Sequence, residues 1–254
     1  MVSLLLISSR QDPAACASEF HDVVRTAGIS SGELSHQIVD STLVTLRDLN
    51  SYDGIIVGGS ALNVTDTTHS PYQQHVHREL EQLLTLDIPT LFICFGNTYL
   101  ADLTGGSVTR DYGEPAGKTW VELTESGKKD LLTAHLPQQF SAYTGHKEAV
   151  KEVGRGVDIL ATGPQCPVQM VRANDSTWAC QFHPDLDHEG MCARMGFNLT
   201  GGYFSPEDFD TITAELASVS TSAANSIMKR FVEIAQEWTP GTSTIPRSSR
   251  IGAR

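Results

Sequence analysis

Pro89-Thr90-Leu91-Phe92-Ile93-Cys94 is an unbroken apolar run entered from a proline. A run of this length reads as a strand buried on both faces of a parallel sheet. The chain then changes character at once: Phe95-Gly96 gives way to a helical pattern over Asn97 to Leu103, closed by Gly105-Gly106. The order is strand, cysteine, small residue, helix, which places Cys94 at the carboxyl end of a central strand, where ligands of open α/β sheets gather.

The flanks repeat the theme. Met1 to Ile7 reads as a first buried strand, too short for the roughly 20 residues that cross a bilayer. Asp12-Pro13 starts a helix, since Asp caps free amides and Pro suits the first turn. Phe20, Val23, Val24 and Ala27 mark its apolar face and Gly28 its stop. Asp53-Gly54-Ile55-Ile56-Val57 is the next strand, ending in Gly58-Gly59, and a second helix opens at Ser70-Pro71 and runs to about Leu84. Such alternation predicts βαβ units and a largely parallel sheet flanked by helices. Farther on, Pro167–Ala173 and Thr177–Phe182 flank a polar turn at Asn174-Asp175-Ser176, a hairpin that delivers Gln181-Phe182-His183-Pro184-Asp185 to its end. Helical patterns over Glu207–Ser218 and Ala223–Trp238 predict a C-terminal extension over 201–238, and 239–254, rich in Ser, Thr, Pro, Gly and Arg, reads as a tail.

Thirty acidic against eighteen basic side chains give a net charge of −12, which repels phosphate backbones and anionic lipid, so neither nucleic acid nor membrane is an expected partner. Five cysteines at irregular spacing, without a paired C-x-x-C, argue against a disulfide framework or a structural zinc site and fit a reducing cytoplasm. His75 and His77 lie about 200° apart on a helix, so with His69 they do not form an i,i+4 metal pair. No metal is expected.

A cysteine at a sharp strand-to-helix turn stands above the sheet with the positive helix end aimed at its sulfur, which favours the reactive thiolate. His183 can act as its base, and Asp185, two residues on, can hold the imidazole if Pro184 bends the chain. Backbone amides at Gly58-Gly59-Ser60, with that of Phe95, can receive a developing oxyanion, each such donor being worth about 2.7–4 kcal/mol. Taken singly, each element is common: a Cys ending an apolar strand is more often a small buried hydrophobe. Their occurrence together, each at the end of a predicted strand, carries the reading.

Asp53-Gly54-Ile55-Ile56-Val57-Gly58-Gly59-Ser60 resembles the oxyanion strand of the class I glutamine amidotransferases. Ile93-Cys94-Phe95-Gly96 resembles their nucleophile elbow, and Val168-Gln169-Met170 followed by Trp178 to Asp185 resembles their His-Pro-Glu end. The resemblance covers about residues 1 to 190, within a domain expected over 1–200, runs in the family's order, and is nearest to the amidotransferase domains of GMP synthases. It implies a flavodoxin-like α/β domain in which Cys94 attacks the side-chain amide of glutamine, forms a glutamyl thioester and releases ammonia, with no cofactor.

Three residues depart from the family pattern. Phe92 replaces a glycine two positions before the nucleophile and narrows the elbow. Thr98 replaces a glutamine and shortens the expected substrate contact, and Asp185 replaces a glutamate, with about 1.5 Å less reach; Asp187 is a weaker substitute. The resemblance also places His146, in Gly145-His146-Lys147-Glu148, near the cleft in a packing or substrate-shaping role. No synthase motif is legible after residue 190, so an ammonia-using synthase is expected in trans. The alternatives are a γ-glutamyl hydrolase acting on another γ-glutamyl compound and a silent binding or regulatory homologue.

Overall fold

A computed structural model describes residues 1–241. The tail expected over 239–254 therefore lies, from residue 242 on, outside the described residues. The strands are β1 Leu4–Ser8, β2 Leu34–Ile38, β3 Gly54–Val57, β4 Thr90–Ile93, β5 Ser107–Thr109, β6 Glu114–Leu123, β7 Gln139–His146, β8 Ala149–Glu152, β9 Asp158–Thr162, β10 Met170–Arg172 and β11 Thr177–Cys180. The helices are α1 Pro13–Ala27, α2 Pro71–Glu81, α3 Phe95–Leu103, α4 His188–Phe197, α5 Phe209–Leu216 and α6 Ser222–Glu237.

One sheet runs in the order β2-β1-β3-β4-β11-β10-β9-β6-β7. The first five strands pair in parallel, in the flavodoxin-like order, and the remainder extend the sheet antiparallel. The sheet is covered on both faces, as the apolar strands require. Leu4, Leu6, Ile56, Leu91 and Ile93 pack with α1 and α6. Their neighbours Leu5, Ile7, Ile55, Val57 and Phe92 face the other way, toward α2 and α3. Alternation along each strand thus feeds two cores.

The local signals act as expected at α1. Asp12 accepts from the amides of Ala14 and Ala15, and Gly28, with a φ of 70°, closes the helix in the left-handed region where glycine has no steric penalty. The hairpin of β10 and β11 forms in antiparallel register, Met170 opposite Cys180. Helix α3 begins at Phe95, two residues before the helical pattern suggested. Helix α4, unread in the sequence, is capped by Asp187, which accepts from the Gly190 amide. In the region expected as an extension, α6 buries Ala224, Ile227, Phe231 and Ala235 in the same core as β1 and β4, whereas the segment leading to α5 brings Tyr203 and Phe204 to the cleft lined by Cys94. No helix of the described residues is long and apolar enough to cross a membrane.

Candidate active site

Cys94 ends β4 with its amide bound to the Cys180 carbonyl at 2.7 Å. It then turns at φ 57° and ψ −99°, one of two non-glycine residues with positive φ among those described. A β-carbon resists that region at a cost of about 1–3 kcal/mol, and such strain is typical of a nucleophile at a strand-to-helix elbow. Gly96 is what allows the tight turn: a β-carbon there would lie 2.5 Å from that of Phe92. Phe92 is fully buried beneath α3 and lines neither cleft at Cys94. The departure from glycine therefore tightens the elbow from below and leaves the cleft untouched.

His183 arrives at the sulfur from the end of β11, held by its amide to the Tyr143 carbonyl at 2.9 Å. Its Nδ1 lies 3.0 Å from Asp185 Oδ1, and its ring lines the same cleft as Cys94. The fold brings Cys94, His183 and Asp185, separated by up to 91 positions, to one place. The shorter aspartate reaches because the backbone delivers it, and Asp187 is engaged elsewhere, by Arg25 and the α4 amide. Burial would lower the His183 pKa, but the charge and hydrogen bond of Asp185, with the contact to Cys94, outweigh it and raise it to about 9. Burial would likewise raise Asp185, yet the imidazolium and Arg194 bring it down to about 2. Each partner thus favours the charged form of the other.

The glycines divide their work. The Gly58 amide is already spent on the Ile7 carbonyl at 2.9 Å, and a side chain there would strike Glu19. Gly58 is thus not an oxyanion donor, because the sheet ladder uses its only N–H; its bareness admits the buried Glu19 instead. Gly59 faces the reacting groups: a β-carbon would come within 3.0 Å of His183 Cε1, 3.2 Å of Arg10 Nη2 and 3.6 Å of Cys94 Cβ. Phe95 opens α3 directly after the sulfur, which leaves the amides of Gly59 and Phe95 as the candidate pair. Thr98 is near but engaged: its hydroxyl donates to Glu148 Oε1 at 2.8 Å, with the Phe95 carbonyl also at 2.9 Å. It forms wall rather than offering a spare donor to substrate.

Several contributors had no assigned role in the sequence. Gln181 donates to the sulfur at 3.9 Å and is itself steadied by Asn97; its spacing of two from His183 on an extended segment was the available signal. Glu148 accepts from the Val64 and Thr65 amides and from both Thr65 and Thr98 hydroxyls, tying the loop after Gly59 to α3. Arg10, paired with buried Glu19 at 3.1 Å, lies beside Gly59. Arg194 reaches Asp185, Glu19 and Asp22 at 3.4 to 3.9 Å. Burial, aided by the charge of Asp185, holds Asp22 up at about 6 against Arg194 and Arg25.

His146 sits on the far side, with Nε2 2.9 Å from Glu114 Oε2 and Nδ1 2.9 Å from the Glu148 carbonyl. Thr119 and Gln169 also donate to Glu114. Donor atoms of Glu114, His146 and Cys166 lie within 4.8 Å of one another, but each is already occupied, the Cys166 thiol by the Val168 carbonyl. Burial and the Glu114 charge push that thiol up to about 12, far from the thiolate that a metal needs. His75 bonds the Val44 carbonyl and His69 stacks edge-on to His77, so those three serve packing. All five cysteines are free thiols.

Two clefts meet at Cys94. One is lined by His183 together with residues of α4 and the 198–204 segment. The other is lined by Thr98, Lys147, Glu148 and Gln181. Tyr203 borders both.

Residues 18–200 match the family model described as glutamine amidotransferase class-I. The chain is 31% identical over 125 residues to a Clostridium botulinum GMP synthase [glutamine-hydrolyzing], covering 49% of this chain and 24% of that protein. Against the Bacillus velezensis enzyme of the same name it is 29% identical over 166 residues, 65% and 30% of the two chains. The chain thus spans about a quarter of the length of the first of these relatives. A glutamine amidotransferase structure from Thermotoga maritima superposes with a TM-score of 0.75 at 18% identity, covering 94% of this chain and 100% of that one. One from Methylobacillus flagellatus gives 0.63 at 15%, covering 92% and 95%. At these identities the structures speak for the fold.

Proposed function

We propose that this chain, which belongs to the glutamine amidotransferase class-I family, hydrolyses the side-chain amide of glutamine through a thioester on Cys94. The observation that carries the proposal is the buried Cys94–His183–Asp185 arrangement at the end of the central strands. An imidazolium beside a thiol, at a helix N-terminus, is the setting in which sulfur becomes nucleophilic at neutral pH.

In this reading the sulfur adds to the amide carbon, and the oxyanion that forms is received by the Gly59 and Phe95 amides. The C–N bond then breaks as His183 passes its proton to the departing nitrogen. Water, deprotonated by the now neutral His183, attacks the thioester, and glutamate leaves as the C–S bond breaks. Asp185 holds the ring in the required tautomer and stabilises its charged form. Gln181 keeps a donor on the sulfur. The ammonia serves a synthase supplied in trans, a role suggested by the GMP synthase relatives.

Incubation of the purified chain with glutamine tests this. Equimolar glutamate and ammonia are expected, abolished by Cys94→Ala, together with stoichiometric labelling of Cys94 by a glutamine-like chloroketone. An unlabelled Cys94 and no glutamate release, with candidate synthases present, would leave the silent-homologue alternative standing. Copurification of a synthase, read by mass spectrometry, tests the partner separately.

A further inference from the structure

Asp185 has two carboxylate oxygens, and His183 uses one of them. Oδ1 lies 3.0 Å from the imidazole Nδ1, while Oδ2 accepts from Arg194 Nη2 of α4 at 3.4 Å. The same guanidinium nitrogen lies 3.6 Å from Glu19 Oε1 and 3.9 Å from Asp22 Oδ2, both on α1. One arginine nitrogen thus serves three buried carboxylates, one of which holds the imidazole.

As a structural brace this arginine is poorly made. Arg194 is buried, yet its Nε and Nη1 have no hydrogen-bond partner among the described residues. A buried guanidinium held through one nitrogen leaves donors desolvated and unpaired, which offsets what its ion pairs contribute to stability. The tie between α1 and the start of α4 is made better by Arg25, which reaches Asp22 at 2.7 Å and Asp187 at 2.5 and 2.8 Å. What Arg194 adds is its contact with Asp185. The terminal torsion of an aspartate is broad, so a single bond to Nδ1 lets the carboxylate swivel, whereas a second contact at Oδ2 fixes its plane. The guanidinium charge also opposes Glu19 and Asp22, whose charges favour a proton on Asp185. The other titratable groups facing Asp185 are His183 on its own segment, the Cys180 thiol of β11, and Arg10 after β1, itself paired with Glu19.

We infer that Arg194 is a positioning residue of this site, acting on Cys94 through Asp185 and His183 by fixing the carboxylate that orients the imidazole. The inference rests on the triad proposed above. No proton moves to or from Arg194; it keeps Asp185 ionised and aimed while His183 passes between its charged and neutral forms. Loss of its charge therefore slows the chemical steps and leaves substrate binding nearly unchanged.

The full chain carrying Arg194→Met, Arg194→Lys or Arg25→Gln tests this in two ways across pH. One is glutamate release from glutamine; the other is the rate at which iodoacetamide alkylates Cys94, read by peptide mass spectrometry. Arg194→Met is expected to lower kcat about tenfold or more with KM within about threefold. It should also raise the acid limb of both profiles by about one pH unit or more, since Asp185 loses a cation that holds its pKa down. Arg194→Lys, which keeps the charge, should recover most of kcat and bring the limb back toward that of the parent. Arg25→Gln, which breaks the tie between α1 and α4 without touching Asp185, should lower unfolding stability and leave kcat and the acid limb in place. If Arg194→Met does not fold, Arg194→Met with Asp22→Asn, which removes one buried charge of each sign, carries the same expectation. A folded variant with parental kcat and acid limb overturns the inference. So does a fall in kcat without movement of the limb, which leaves Arg194 a structural part only, or a raised KM at unchanged kcat, which makes it a substrate contact. If the parent releases no glutamate, the proposed function falls, and the alkylation profiles alone decide on Arg194.

Discussion

Two buried histidines flank the nucleophile, each paired with a carboxylate at nearly the same distance. His183 Nδ1 lies 3.0 Å from Asp185 and His146 Nε2 lies 2.9 Å from Glu114. What separates them is the other ring nitrogen. In His146 it is consumed by the Glu148 carbonyl, whereas in His183 the remaining edge borders the cleft that Cys94 also lines. A carboxylate partner orients an imidazole in either case, but only a ring with an uncommitted nitrogen can exchange a proton with sulfur. In the proposed function the first pair carries the chemistry, whereas the second joins β6 to β7.

This contrast should be most visible when the reacting atoms themselves are removed. Cys94→Ala and His183→Ala are each expected to lower kcat by about 10⁴–10⁶-fold with little change in folding; activity within tenfold of wild type would dissolve the distinction. Asp185→Asn should cost about 10⁴-fold and also change the pH profile. His183 titrates at about 9 in the fold against 6.5 when unpaired. Its pairing therefore contributes stability fully below about 6.5 and loses it as pH rises through about 9, and the acid needed by the leaving group is lost over the same range. Removing the Asp185 charge should move the alkaline limb of kcat/KM down toward 6.5, which a pH–rate series reads directly.

Gly59→Ala comes next. Its new methyl group would press on His183 at 3.0 Å, and a misplacement of this kind costs about 10²-fold in kcat. Binding of a glutamine analogue, followed by calorimetry, should weaken much less. The smallest effect on turnover belongs to the other histidine. His146→Asn should change kcat/KM by less than about tenfold, under about 1.4 kcal/mol in barrier. It should nevertheless lower folding stability by about 1–3 kcal/mol, because buried Glu114 keeps its Thr119 and Gln169 donors but loses that of His146. Denaturant unfolding measures that loss. A variant of His146 as inactive as that of His183 would erase the comparison.

What could be read from the residues alone was whatever is encoded locally. Asp12 and Gly28 bracket α1, an apolar run ends at Cys94, and a polar turn joins the hairpin that carries His183; each signal lies within a few residues of the feature it specifies. The cap at Asp187, with Glu189 in the first turn, offered the same kind of signal for α4 and went unread. The antiparallel half of the sheet was scarcely legible because its pairings, such as β6 with β9, join segments some forty residues apart. The same holds for the site. Glu148 meets Thr65 across 83 positions, and nothing near Arg10 announces that Gly59 lies against it. Even Gly58, correctly placed at the end of its strand, hid the fact that its amide belongs to Ile7, which only the strand register decides.

The turn at Cys94 also has a consequence for anyone selecting variants. An amino acid held at φ 57° would relax if its β-carbon were removed, so Cys94→Gly should melt several degrees higher than the parent while being inert. A search guided by heat resistance alone would enrich an inert protein, because one of the two non-glycine positions held at positive φ among the described residues is also the proposed nucleophile.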